Sequence, residues 1–152
     1  MTLAELLAAR RAAIVDAADA ALERAHLAHY EAAGGESRRQ RLETLFELVA
    51  RAVAERNLTP VLRHAERIAH DRFDAGYDLL EVQAAFNVLE EALWKTLVAE
   101  VPPAGLGEAL GLVGTALGAG KDRLAATYVA LASRTHTPSL DLRALFAGTA
   151  AG

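Results

Sequence analysis

Residues 71–83 read "DRFDAGYDLLEVQ", and each local preference in them points to a corner between two helices. A charged helical run meets Gly76, the residue type that most readily takes the left-handed conformation that ends a helix. Asp78 then stands where its carboxylate can cap a new helix, and Glu81 follows at the spacing that lets its side chain reach back to the cap amide. Tyr77, just before the cap, is placed to pack on Val82 as a hydrophobic staple. Arg72 lies one turn before Gly76, where a cation suits the negative end of a helix, and Glu81 is its expected partner across the corner.

Amphipathic runs extend from both sides of this corner. Downstream, Val82, Ala85, Phe86, Leu89, Leu93 and Leu97 share one face of a helix predicted from Leu79 to about Val98; Ala84 and Val88 widen that face, as expected of a central helix. Upstream, "NLTP" predicts Thr59 as an N-cap and Pro60 as the first helical residue, followed by an inner stripe of Val61, Leu62, Ala65, Ile68, Ala69 and Phe73. Before that, Leu42, Leu45, Phe46, Val49, Ala50 and Val53 repeat at core-facing spacing, on a helix expected to open with a Ser37–Gln40 capping box after Gly34 and Gly35. The first helix is predicted from Leu3 to about Tyr30, with Leu3, Leu7, Ile14, Ala18, Ala21 and Ala25 inward.

Pro102 and Pro103 interrupt the pattern. A last segment follows from about Leu106 to Ser133, with Leu106, Leu110, Val113, Leu117, Leu124, Tyr128 and Leu131 as its stripe. Gly107, Gly111, Gly114 and Gly118 fall on one side of it, which predicts a close helix approach there and a break of the segment into two. Residues 135–152 read as a tail with a short apolar hook at Leu140, Leu142, Leu145 and Phe146. The expected fold class is therefore all-α: a single helical-bundle domain of five or six helices over residues 1–134, with that tail behind it.

Composition agrees and excludes several functions. The 152 residues suit one core, and a chain 53% hydrophobic but only 5% aromatic, rich in alanine and leucine, favours close-packed helices over a β-rich interior. A formal charge of -4 and a pI near 5.7 argue against an electrostatic nucleic-acid binder. With no cysteine, disulfides, thiolate metal sites and cysteine nucleophiles are excluded. The N-terminal run lacks the basic start, apolar core and cleavage site of a signal peptide, and the glycine-rich stretch 102–120 is too weakly apolar to span a bilayer, so a cytoplasmic, membrane-free protein is expected.

The chemical motifs fail on inspection. "GTALGAGKD" has a lysine after glycines, but a phosphate-cradling loop needs glycine where Thr115 stands and a hydroxyl where Asp122 stands. "ERAH", residues 23–26, matches one Glu-x-x-His element of a di-iron bundle, which requires two, and His29 points to another edge. His64 and His70 would be the axial candidates for haem, yet both lie opposite the apolar stripe of their helix and read as solvated. Glu90 and Glu91 point about 100° apart on a helix and make no acid–base pair. No catalytic, cofactor or metal residue is assigned, and a non-enzymatic role is expected. Gln83, Asn87, Glu90 and Trp94 share one helix face, and a tryptophan among amides marks a possible interaction surface.

The run "RFDAGYDLLEVQAAFNVLEEALWKTL", together with the preceding "LFELVARAVAERNLTPVLRHAERIAHDR", resembles the N-terminal sensory domain of bacterial stressosome co-antagonist proteins, over about residues 10 to 133. Related domains precede histidine kinases and transcriptional regulators. The resemblance implies a globin-like helical domain without haem, generally dimeric, that passes a signal to an output module or protein partner. Arg72, Gly76, Leu80 and Glu81 match the corner pattern, and only a structural role carries over to them. No output domain follows the sensory region here, so either a freestanding regulator or a piece of a longer one is expected. The alternative is a globin-like protein that binds haem or a small ligand.

Overall fold

The computed structural model describes residues 1–136. They form an all-α bundle of six helices: α1 (Leu3–Arg24), α2 (Ala28–Ala33), α3 (Gly35–Glu55), α4 (Thr59–Asp74), α5 (Leu79–Glu100) and α6 (Pro103–His136). The apolar hook expected at Leu140, Leu142, Leu145 and Phe146 lies outside the described residues. Within them, no helix is long and apolar enough to cross a membrane.

The central position expected of the helix after the corner holds. α5 packs against α1, α3 and α6, and buries Val82, Ala85, Phe86, Leu89, Leu93 and Leu97. α4 lies mainly on α6, while α3 reaches α1, α4, α5 and α6. Leu7, Ile14 and Leu22 of α1, Leu42 and Val49 of α3, and Leu117 and Leu124 of α6 complete the core. Truncating a fully buried leucine such as Leu93 to alanine costs about 2–5 kcal/mol, because the cavity adds to the lost transfer energy.

Four boundaries differ from the sequence expectation. The first helix does not continue to Tyr30: it stops at Arg24, His26 takes a left-handed φ of 50°, and the chain turns before α2. That turn buries Tyr30 and rotates the α1 stripe onto Leu22, leaving Ala25 exposed. Ser37 caps nothing, since α3 has already begun at Gly35, directly after Gly34 at φ 90°. Leu58, not Thr59, is the N-cap of α4; the Thr59 amide donates instead to Asn57 Oδ1 at 3.1 Å, which moves Pro60 to the second helical position. Lastly, α6 is one unbroken helix of 34 residues.

The glycines of α6 also behave differently from expectation. A β-carbon added at Gly107, Gly111, Gly114 or Gly118 would meet nothing within 4 Å, so among the described residues this stripe makes no close helix contact. The close approach occurs at Gly120, which faces Phe86 and Val61. There α4, α5 and α6 meet.

Candidate functional site

The corner forms as the sequence implies. The Tyr77 amide donates to the Arg72 carbonyl at 2.9 Å and the Gly76 amide to Phe73 at 3.1 Å, the paired bonds that close a helix through a left-handed residue; Gly76 has φ 85°. Asp78 is the N-cap of α5, and its amide donates to Glu81 Oε1 at 3.1 Å.

Glu81 does not pair with Arg72. It is a buried charged residue of the core, 7% exposed, and its carboxylate accepts from the His29 ring at 2.7 Å and from the His29 amide at 3.2 Å. An ionised carboxylate only accepts, so His29 Nδ1 carries the proton. Burial pushes the Glu81 carboxyl up, but the bonds from Asp78 and His29 outweigh it and hold it below its ordinary range. The start of α2 is thereby pinned to the start of α5.

Tyr77 organises the other side of the corner. Its hydroxyl accepts from Arg41 Nη1 at 2.7 Å and donates to the His29 carbonyl at 3.3 Å, while the Tyr128 hydroxyl of α6 donates to the Tyr77 carbonyl at 3.2 Å. Its ring lies 4.6 Å from that of His29 and edge-on to Tyr30 at 5.6 Å. Arg41 stands 5.5 Å from the Tyr30 and Tyr77 ring centres, and Arg72 stands 5.6 Å from that of Tyr77. Cation–π contacts of this kind take the place of the expected Arg72–Glu81 ion pair.

Beside this cluster, α2, α3, α4 and α5 line a cavity of about 250 Å³ that opens to the surface. Tyr30, Gln40, Arg41, His64 and Arg72 contribute polar groups, and Ile68, Val82 and Phe86 an apolar floor. His64 is thus not solvated as its helix position suggested: it is half-buried, and burial, then Arg67 and Arg72, lower its pKa to about 4. His70 is exposed. Burial raises the Tyr30 phenol, opposed by Arg72 and Arg41. Tyr30 and Arg41 were not singled out in the sequence, and His29 only as a rejected metal ligand; the available signal was Arg41 lying beside the Leu42–Leu45 stripe.

A second surface carries the α5 residues expected to interact. Gln83 and Glu90 are half-buried, Asn87 is exposed, and Trp94 is 52% exposed with Val98 beside it one turn on. Lys121 of α6 ties this face to its neighbour, donating to Asn87 Oδ1 at 3.0 Å and Glu90 Oε2 at 3.2 Å. Helical spacing from that contact leads to Trp94 and Val98 on α5, and to Gly118, Gly114 and Gly111 on α6.

Among the described residues, no group of three His, Asp or Glu side chains is placed to hold a metal ion. A larger hollow of about 700 Å³ lies between the start of α1 and the α5–α6 elbow. Its charged groups are already satisfied, Glu100 by Arg10 at 2.7 Å and Arg56 by Glu108 at 3.0 Å. In comparisons with known proteins, no family model, no curated protein and no solved structure matches this chain.

Proposed function

We propose that this chain is a non-enzymatic bacterial signalling domain, a cytoplasmic sensory or protein-interaction module that dimerises and regulates a protein partner or an output module. The observations that carry the reading lie on α5 and α6: Trp94 and Val98 are exposed, and among the described residues nothing comes within 4 Å of a β-carbon added at Gly107, Gly111, Gly114 or Gly118. An exposed tryptophan supplies the kind of large anchor on which interfaces concentrate their energy, and backbone free of side chains lets a second helix approach closely. The globin-like architecture implied by the resemblance belongs to this proposal. Against haem, the cavity at His64 falls below the roughly 300–1,000 Å³ typical of drug-sized ligand sites, and a porphyrin is larger than most such ligands.

Sedimentation equilibrium tests the proposal. A dimer in the wild type that dissociates on Trp94→Glu, with unchanged helical circular dichroism, supports it. A monomer at every concentration overturns the dimer. A Soret band in protein purified from cells, lost on His64→Ala, would replace it with the haem reading.

A further inference from the structure

The cavity between α2, α3, α4 and α5 holds cationic groups that no carboxylate among the described residues pairs with. Among the described residues, Arg41 and Arg72 form no ion pair, although both are half-buried; the comparably buried Arg38 of α3 does, with Asp19 at 2.7 Å. Exposed arginines tolerate that state because water solvates them, whereas half-buried ones call for a counter-charge. Among the described residues, no acidic side chain lines the cavity. The nearby carboxylate, Glu81, is fully engaged with His29 and the Asp78 amide.

The uncharged polar groups around the cavity are also unspent. The Tyr30 hydroxyl, the His64 ring and the Gln40 amide have no hydrogen-bond partner among the described residues, and Arg41 has one, the Tyr77 hydroxyl. These groups converge from α2, α3 and α4. The opposite wall is apolar, built from Ile68, Val82, Ala85 and Phe86.

We infer that this cavity binds a small organic carboxylate, its head group between Arg41 and Arg72 with the Tyr30 hydroxyl, and its compact apolar body on Ile68 and Phe86. Guanidinium forks match a carboxylate in shape and charge. A phosphate fits less well, because an apolar wall would leave some of its oxygens unbonded. At about 250 Å³ the space admits only a small molecule. The inference does not depend on dimerisation, and the two are tested separately.

The full chain is titrated calorimetrically with benzoate, hexanoate, benzamide and inorganic phosphate, and the arginine Nε–Hε resonances are followed by NMR. The expected result is saturable one-to-one binding of benzoate or hexanoate, with benzamide and phosphate weaker by about tenfold or more, and shifts at Arg41 and Arg72. Arg41→Gln and Arg72→Gln should each weaken the carboxylate by about tenfold while circular dichroism holds. Should either variant fail to fold, the wild-type contrast of benzoate with benzamide and the arginine shifts decide. No saturable binding of either carboxylate, equal binding of benzoate and benzamide, phosphate binding as tightly as benzoate, or carboxylate affinity unchanged in both variants overturns the inference.

Discussion

Gly120 of α6 and Phe86 of α5 are in contact through the absence of a side chain: a β-carbon at position 120 would sit 2.9 Å from Phe86 Cε1, and 3.1 Å from Val61 Cγ1 of α4. Both neighbours are buried, so neither can swing into solvent. Gly120→Ala should therefore destabilise the fold by about 1–3 kcal/mol despite alanine's better helix propensity. A lowered urea midpoint at unchanged slope is the expected reading.

Gly111 gives the opposite sign. It is exposed on the same helix, and an added β-carbon meets nothing within 4 Å. Gly111→Ala should stabilise the chain by about 0.5–1 kcal/mol through reduced backbone freedom in the unfolded state. A loss of stability in the same urea titration would show that the stripe is covered in solution.

Glu81→Gln should cost about 1–3 kcal/mol at neutral pH, because it removes the charge that receives the His29 ring and two backbone amides. The folded carboxyl titrates below its ordinary 4.5, so its contribution is complete above that value and disappears as pH falls through the lower folded one. Thermal melts should show the variant closest to wild type in acid and furthest from it at pH 7.

His64 gives a dependence of the same sign, by a penalty at low pH rather than a gain at neutral pH. Its pKa falls from 6.5 to about 4 on folding, so between those values the unfolded chain takes up a proton that the folded chain refuses. Stability therefore rises with pH across that window, and the penalty below it reaches at most ~3 kcal/mol. His64→Gln should flatten the slope of urea midpoint against pH between 6.5 and 5. An unchanged slope would place the titration elsewhere.

The corner was legible because its signals are local: a glycine that must turn left-handed, then an acid at the cap and another three residues on. Periodicity likewise located the core of α3 and α5, where one face meets the interior. The break at His26 has no glycine or proline to announce it; it arises because Tyr30 is buried against Tyr77, a contact 47 residues away in the chain. His64 was misread for a related reason. α4 is embraced by α6 on its stripe and by α3 and α5 around the cavity, so a second flank is covered that a single-stripe pattern treats as open. The partner of Glu81 was mistaken because the nearest opposite charge in sequence, Arg72, lies over the Tyr77 ring, while α2 delivers a histidine from far upstream.

At 1.5 Å per residue, the uninterrupted α6 is a rod about 51 Å long. Gly120 is the glycine at which α6 presses closest on α4 and α5, and about 24 Å of rod lies between there and His136. Rocking the rod by about 5° around that fulcrum would carry its far end through about 2 Å. With no hinge in between to absorb it, a change in how Tyr128 seats against the Tyr77 carbonyl would travel to residue 136 undiminished.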